Sequence, residues 1–474
     1  MNLKKTRPIN QKSKTGILIV LFAYGILLFP QKAICQEKLI LKPIDLVDLA
    51  VKNSKSRKIS QAQTLAAKAR LAQSYDKALP FVGVSASYYR FTQPDISIGS
   101  GLSNLLKGNN SSTNANNVSG SSSVGAPGFP SVNQATLLQG TVSENLFSGF
   151  KNKFTIQSDE YLFKASEIRN TGSQNDAVLN ALSAYYNIYK LMTAAYLLNQ
   201  DLLEQNRRVL DFQNLEKNGL ITRNDLLKAQ LGAGNIKLNI SEVDNSLEIS
   251  KYNFKLMLGI PESSFIEIDT LSLFKERSLK SREEFLQSSM ELRTDLLSNA
   301  EENHSYLAKV NSSKSGYYPS ISLSGGYLDA FVPGIITLKN VINANIGLKY
   351  NFTSLFTTHH QTDEAKANLG VSKATYELAV DRAKMEINQN YLNYFESLKK
   401  IDLDSEIIAQ TEENYKILKN KYANSLSTLT DLLDGELSLL QARLNQANAK
   451  ADTQIAYYNL IKSSGATLSK DQIK

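Results

Sequence analysis

The 474-residue chain is poor in the residues from which most catalytic and metal sites are built. It contains one cysteine, three histidines and no tryptophan. It has no phosphate-binding loop, nucleophile elbow or zinc-binding motif. The tandem pair His359-His360 has no clear metal-ligand pattern around it, and we interpret it as part of a solvated loop. The composition therefore predicts a protein that is not an enzyme and has no catalytic residue, cofactor or resident metal.

The single cysteine falls in an N-terminal leader. A basic head precedes fourteen apolar residues (16–29), a run that is too short for a membrane span but typical of a secretory signal. We expect residues 1–35 to be a signal peptide, with Gln36 as the first mature residue. The alternative is a lipoprotein signal with Cys35 lipidated, which the bulky Ile34 disfavours.

The excess of positive charge also belongs to the leader. The leader holds six of the 53 lysines and arginines and no acid, so the remainder has 47 basic and 45 acidic residues, a net charge of +2. The sequence pI of 9.1 is therefore no argument for a nucleic-acid partner, and we expect none. A secreted chain without a disulfide must gain its stability from packing or oligomerisation.

The rest of the chain is a duplication. GLITRNDLLKAQL begins at Gly219 and SLSTLTDLLDGEL at Ser425, 206 residues later. ENLFSGFKNKF at Glu144 and YNFTSLFTTHH at Tyr350 have the same offset. Each half therefore contains the same turn, and each turn is followed by the start of a helix.

An insertion distinguishes the two halves. The segments around Pro80 and Pro319 match at an offset of 239, which is 33 more than the offset of the turns. The extra residues lie in a stretch rich in Gly, Ser and Asn with very few large apolar residues, which cannot bury enough surface to order itself. We expect a long loop at 93–134.

Segments on either side of this loop, and of its shorter counterpart, alternate apolar and small polar residues. The pattern predicts four strands with one apolar and one polar face, at 81–92, 135–147, 320–329 and 341–352. Such strands are typical of a transmembrane β-barrel, and a soluble sandwich with one wet face is the alternative. Four strands cannot enclose water, so several chains would share one barrel: two chains give eight strands and three give twelve.

The remaining sequence has a seven-residue period. One apolar row comprises Ile387, Tyr394, Ile401, Ile408, Tyr415 and Tyr422. The corresponding row of the first half comprises Ala181, Ile188, Ala195, Leu202, Val209 and Glu216, and is apolar until the last position. Sustained heptads without proline predict long helices packed as coiled coils. The helix predicted from Phe150 to Glu216 would be roughly 100 Å long at about 1.5 Å per residue.

The signal peptide, the duplicated strand-strand-helix-turn-helix half, the heptads and the GL-x4-D turn together resemble the TolC family of outer-membrane efflux proteins. The resemblance implies a mostly α fold with a small β part: a homotrimeric, 12-stranded β-barrel in outer-membrane lipid, continued by a long α-helical barrel in the periplasm. It further implies a passive exit duct for tripartite efflux or type I secretion. The partners would be a periplasmic adaptor and an inner-membrane efflux pump or ABC exporter.

The repeat and the resemblance divide the chain as follows. The first repeat (36–261) would hold a helix at 44–78, the first two strands with the extracellular loop between them, and a helical hairpin at 150–258 with its tip near 219–222. Residues 262–281 would form an equatorial linker. The second repeat (282–474) would hold a helix at 282–316, the other two strands, and a helical hairpin at 356–462 with its tip near 425–428.

The two hairpin tips carry the candidate functional residues. Thr222-x-x-Asp225 and Thr428-x-x-Asp431 both read as helix-capping boxes, which is a purely structural role. Asp434 follows Asp431 by one turn, so both carboxylates project from one helical face. If three copies converge, six carboxylates would ring the tunnel mouth and form a cation-binding constriction.

The resemblance assigns roles to further tip residues. It implies an aspartate pair at Asp431 and Asp434 as that constriction, and a closed-state latch in which Tyr422 faces Asp225. Gly219 and Leu220 belong to the tip that docks the adaptor. The family arginine of the latch is Ser427 here, so its charged half is missing or moved, and Arg223 is a candidate substitute.

Two other classes of protein remain open. A non-channel coiled-coil interaction protein of the periplasm would be a soluble monomer or dimer. A periplasmic enzyme would need a nucleophile–base pair or a metal constellation, and the sequence offers neither.

Overall fold

The computed structural model describes residues 38–92, 133–269, 279–333 and 336–473. The predicted signal peptide lies outside these residues, as do nearly all of the predicted extracellular loop and part of the predicted linker. The described chain is mostly helical with a small β part, which confirms the predicted fold class.

Nine α-helices are described. They are α1 (Asp45–Asn53), α2 (Lys55–Asp76), α3 (Lys151–Lys217), α4 (Arg223–Leu258), α5 (Arg282–Leu292), α6 (Thr294–Ser313), α7 (Ser354–Ala423), α8 (Leu429–Ser463) and α9 (Lys470–Ile473). A short 3-10 helix, Lys314–Tyr317, follows α6.

Six strands are described. They are β1 (Lys38–Leu41), β2 (Phe81–Arg90), β3 (Gln134–Ser148), β4 (Phe265–Ile268), β5 (Ser320–Val332) and β6 (Ile336–Lys349). The last strand begins earlier and ends earlier than the predicted 341–352. Tyr350 and Phe352 lie beyond it, with their rings in an edge-to-face contact 5.0 Å apart.

Two helical hairpins give the molecule its length. Helices α3 and α7 have 67 and 70 residues, so each extends for about 100 Å. The first hairpin is α3 packed on α4, the second is α7 packed on α8, and α8 also packs on α3. Among the described residues, no helix combines the length and apolarity needed to cross a bilayer. His359-His360 lie in α7, not in the predicted loop.

The helices predicted at 44–78 and 282–316 are each broken in two. The first breaks at Ser54 and the second at Arg293, where the backbone becomes extended for one residue with ψ near +122° and +121°. These two positions are 239 residues apart, which is the offset of the surrounding repeat. The helix therefore breaks at equivalent positions in both halves. Neither position carries a proline or glycine, the residues that usually indicate a break in the sequence.

The main sheet is antiparallel, in the order β2-β3-β5-β6. Apolar residues share one face: Val82 pairs with Val142, and Leu323 pairs with Ile346. A β-bulge between Asn145 and Phe147 interrupts the alternation of β3, so Phe147, not Leu146, pairs with Ile321. The predicted alternation through Leu146 is wrong at that point, because the bulge inserts one extra residue.

The main core lies at the middle of the hairpins, beside a second small sheet that the sequence did not predict. Strands β1 and β4 pair in parallel there, and β4 belongs to the segment predicted as a linker. Tyr185, Tyr186 and Tyr458 are fully buried in this core. The Tyr185 hydroxyl donates to the carbonyl oxygens of Leu41 and Asp269, at 3.1 and 3.2 Å, and so joins α3 to the ends of both strands.

Candidate functional site at the hairpin tips

The first tip is a Schellman turn that leads into a capping box. The Gly219 amide donates to the Glu216 carbonyl and the Leu220 amide donates to the Leu215 carbonyl, both at 2.9 Å, which satisfies the last carbonyls of α3. Gly219 takes the left-handed conformation this turn needs, with φ +72°. Thr222 then accepts the Asp225 amide at 3.2 Å and starts α4.

The second tip repeats the same hydrogen bonds 206 residues later. The Ser425 amide donates to the Tyr422 carbonyl at 3.0 Å and the Leu426 amide donates to the Lys421 carbonyl at 2.8 Å. The left-handed position is Ser425, with φ +59°, where the first tip has a glycine. Thr428 accepts the Asp431 amide at 3.1 Å. The sequence repeat therefore corresponds to one turn geometry built twice.

The aspartate of each capping box accepts hydrogen bonds from the threonine of the same box. Asp225 Oδ2 accepts the Thr222 hydroxyl at 2.7 Å, and Asp431 Oδ2 accepts the Thr428 hydroxyl at 2.7 Å and its amide at 2.9 Å. The hydroxyl and amide of Thr428, with the Ser427 hydroxyl, hold the pKa of Asp431 below its ordinary value. Asp431 is therefore ionised at neutral pH.

A small apolar cluster joins the two tips. It is centred on the buried residues Phe212, Leu226, Ala229 and Leu429. The Tyr422 ring stacks on Phe212, with ring centroids 6.0 Å apart. The Lys228 amine also reaches across and donates to the Thr430 hydroxyl at 3.4 Å. Within one chain, the tips of the two hairpins thus form a single packed unit.

Asp225 lies close enough to Tyr422 for its negative charge to act on the tyrosine hydroxyl. Partial burial raises the pKa of Tyr422, and the nearby Asp225 carboxylate raises it further. The structure thus brings together the two latch residues named from the sequence.

The residues considered as the charged half of the latch have other partners. The Ser427 hydroxyl donates to Asp431 Oδ2 at 3.1 Å, within its own tip. Arg223 pairs with Glu216 at 3.6 Å, across the first turn. Among the described residues, the cation that bridges the tips is Lys228, which sequence reasoning missed because its partner lies on the other hairpin.

Asp431 and Asp434 line one shallow groove at the second tip. Lys421, Ser427 and Gly435 line the same groove. Both aspartates are exposed. The predicted common face of the two carboxylates therefore corresponds to one open surface, with a lysine as a neighbouring positive charge.

A buried polar cluster lies directly above the tips, and the sequence analysis did not identify it. Glu436, which is 5% exposed, forms an ion pair with Arg208 and accepts Gln205 Nε2 at 2.7 Å. These contacts join α3 to α8. No local pattern marks Glu436, because its partners lie more than 220 residues away in the sequence.

The remaining candidate ligands do not assemble. Nε2 of His359 lies 3.1 Å from Asp363, one turn later in α7, a neighbour that the sequence analysis overlooked. Within the described ranges, no three His, Cys, Asp or Glu side chains are placed to hold a metal ion.

Comparisons with known proteins agree with this architecture. Residues 285–466 match the family model described as outer membrane efflux protein. No individually curated protein sequence is significantly similar to the chain. The structure is similar to the Campylobacter jejuni CmeC outer membrane channel, with a TM-score of 0.73 and 16% identity over 99% of this chain and 95% of that one.

Two further channels have the same fold. The open state of the Neisseria gonorrhoeae MtrE outer membrane channel matches with a TM-score of 0.69 and 17% identity, over 90% of each chain. The outer membrane protein VceC of Vibrio cholerae matches with a TM-score of 0.70 and 16% identity, over 90% of this chain and 97% of that one. These findings confirm the resemblance inferred from the repeat.

Proposed function

We propose that this chain, whose residues 285–466 match the family model of outer membrane efflux proteins, is the outer-membrane exit duct of an efflux system. The observation that carries the proposal is the combination, in one chain, of a four-stranded sheet with two helical hairpins about 100 Å long. The family is one of channel proteins, and the proposed duct is a passive conduit without catalysis.

The proposed duct is a homotrimer. In one chain the sheet has two edges, β2 and β6, and neither edge strand has a second strand partner among the described residues. Unpaired backbone groups at such edges are not tolerated in lipid, so the edges must be paired by other copies. Three copies would supply twelve strands in one closed barrel, the number inferred from the sequence.

The apolar face of the sheet supports contact with outer-membrane lipid. Ile342, Ile346 and Leu348 are 83%, 72% and 71% exposed in β6, and Val84 in β2 is 79% exposed. Large aliphatic side chains are rarely so exposed in a contiguous row unless a membrane or a partner covers them. Neighbouring residues such as Asn345 and Lys349 would face the water-filled lumen.

The helical hairpins would extend from this barrel into the periplasm. Their tips would meet a periplasmic adaptor, which connects the duct to an inner-membrane efflux pump or, in type I secretion, to an ABC exporter. Gly219 and Leu220 lie in the exposed turn that such an adaptor would reach. The engaged Schellman and capping hydrogen bonds would keep this turn rigid.

The tips would also form the gate. With three copies, Asp431 and Asp434 would contribute six carboxylates to a cation-binding constriction. The lowered pKa of Asp431 keeps its charge in place at neutral pH. Within each chain, Tyr422 beside Asp225 would form the latch. Ser427 leaves that latch without the family's arginine, and Lys228 would take over the cross-tip contact.

A non-channel coiled-coil interaction protein is the alternative function. The two proposals differ in assembly and in solubility. We expect the duct to purify from the outer-membrane fraction and to need detergent, with a detergent-corrected mass of three chains. A monomer or dimer that is soluble without detergent would contradict the duct and favour the alternative.

A further inference from the structure

The cluster above the tips leaves one acceptor without a donor. Both donors to Glu436, Gln205 and Arg208, reach the same oxygen, Oε2. A second nitrogen of Arg208 points to the Tyr415 hydroxyl, 3.5 Å away. The other oxygen of Glu436, Oε1, is buried and has no hydrogen-bond partner among the described residues. A buried acceptor without a donor costs free energy, so the missing donor has to be identified.

The neighbour in position to supply it is Asp201, on α3. Asp201 and Glu436 line the same cavity, Asp201 from α3 and Glu436 from α8. Two ionised carboxylates cannot donate to each other and repel, whereas one proton between them supplies a donor and removes the repulsion. A metal ion is not the alternative here, because no three acidic or histidine side chains among the described residues are placed to hold one.

We propose that Asp201 and Glu436 share one proton, and that this proton clamps α3 of the first hairpin to α8 of the second directly above the tips. The clamp is closed when the proton is bound. When the proton leaves, two negative charges face each other across the junction of the hairpins, with Arg208 as the cation that contacts Glu436.

The electrostatics of the site favour the bound proton near neutral pH. Burial, and after it the charge of Glu436, raise the pKa of Asp201 to about 7. The pKa in the folded state therefore lies above that of an unfolded chain. A carboxyl group whose pKa is raised by folding stabilises the clamp fully at low pH. This stabilisation is lost as the pH rises toward and through 7.

Every helix packed around the pair contributes to its surroundings. The charged and titratable groups facing the site are Tyr196, Asp201, Glu204 and Arg208 of α3, Glu412 and Tyr415 of α7, and Glu436 and Arg443 of α8. Arg443 is occupied by Glu412, at 2.8 Å, and helix α4 approaches Gln205 with the uncharged Gly232. Among the described residues at this site, the acids Asp201, Glu204 and Glu436 are therefore left with Arg208 as the nearby cation.

The consequence for gating rests on the proposed function. The clamp joins the two hairpins of one chain next to the latch at Tyr422 and Asp225. A duct with the proton bound would be held closed at its tips, and loss of the proton above pH 7 would favour separation of the hairpins. The junction would therefore respond to periplasmic pH.

Infrared difference spectroscopy on the full-length protein in detergent tests the shared proton directly. The spectrum of wild type minus that of Asp201→Asn should contain the carbonyl band of a protonated carboxyl group at pH 6. The protonated fraction should fall from about nine-tenths at pH 6 to about one-tenth at pH 8. Asp211→Asn, at an exposed acid on the same helix, should give no such band. Absence of the wild-type band at pH 6 would overturn the proposal.

Hydrogen exchange in α8 tests the clamp itself. The side-chain amide introduced by Asp201→Asn can donate permanently to Glu436, so this variant should mimic the closed clamp at every pH. At pH 6, wild type and Asp201→Asn should exchange equally in residues 432–440. At pH 8, wild type should exchange about tenfold faster than Asp201→Asn at the same pH. The factor is modest because Asp201 is only half-buried, so solvent screens its charge. Equal exchange at pH 8 would refute the clamp.

Conductance in planar bilayers separates this proposal from the proposed function. Wild type should conduct more at pH 8 than at pH 6, and Asp201→Asn should remain in the low-conductance state at both. A conducting wild type without this pH dependence would overturn the regulatory role. A protein that does not conduct at all, but shows the infrared band and the exchange difference, would contradict the duct and leave the clamp in place.

Discussion

The two tips offer a matched pair of substitutions at equivalent positions. Gly219 and Ser425 occupy the same left-handed position of two Schellman turns, with φ +72° and +59°. A residue with a Cβ pays about 1–2 kcal/mol for this conformation. Glycine avoids that cost but loses about 0.4–1 kcal/mol more conformational entropy on folding. We therefore expect Ser425→Gly to stabilise its turn, and Gly219→Ser to destabilise its own, each by about 0.7 kcal/mol.

Steric clashes do not complicate the comparison at the first tip. A Cβ added at Gly219 has no heavy atom within 4 Å, so the expected cost is conformational alone. The measurement is hydrogen exchange of the turn amides, which report local opening. Ser425→Gly should slow exchange of the 425 and 426 amides about threefold, and Gly219→Ser should accelerate exchange of the 219 and 220 amides about threefold. Each change should leave the other tip unaffected. Faster exchange in Ser425→Gly would refute the reasoning.

Three further predictions concern the sheet, the gate and the contact of Gly465, just after α8, with the helix break at Arg293. Ile346→Arg should make the free energy of folding into lipid vesicles less favourable by about 2–4 kcal/mol, whereas Asn345→Arg, on the opposite face of the strand, should change it very little. Equal losses for the two variants would contradict a lipid-facing row. The double variant Asp431→Asn and Asp434→Asn, which removes both charges, should no longer be blocked by a trivalent cation. The control Glu413→Ala, on the exposed surface of α7, should still be blocked. The block in wild type should weaken with added salt. Gly465→Ala should lower the free energy of unfolding by about 2–4 kcal/mol, because φ is +82° and the new Cβ would lie 2.5 Å from the Arg293 nitrogen. Gly234→Ala, in open space on α4, should instead raise the free energy of unfolding by up to about 1 kcal/mol. The same sign for both variants would show that the packing of Gly465 against Arg293 does not matter.

Local chemistry made much of the architecture predictable. Turns, helix caps and heptads depend on residues close together in the sequence. Because the chain is duplicated, a pattern found in one half could be compared with the equivalent position of the other. The equivalence of Gly219 and Ser425, and the capping role of Thr222 and Thr428, needed only the spacing of a few side chains. The apolar face of the strands followed from a period of two.

The features that were missed depend on distant partners. The break at Arg293 is held by Glu386 and by the carbonyl oxygen of Ser463, at 2.8 and 3.3 Å, and both lie on helices far along the chain. The pairing of β1 with β4 joins segments about 225 residues apart. The Arg208–Glu436 pair joins α3 of one hairpin to α8 of the other. The period of the sequence does not specify how these two hairpins are rotated relative to each other. Such contacts are products of the tertiary fold, so a single sequence carries no local signal for them.

The central claim is that three chains share one barrel, and cross-linking of the sheet edges tests it most directly. Ser87→Cys on β2 and Asn343→Cys on β6 would place one thiol on each edge strand, and the only native cysteine, Cys35, lies in the predicted leader. A bifunctional maleimide applied to the protein in outer membranes should join β6 of one chain to β2 of the next. The account predicts a ladder of one, two and three chains on a denaturing gel that ends at three. A ladder that ends at two, continues beyond three, or never leaves the single chain would contradict it.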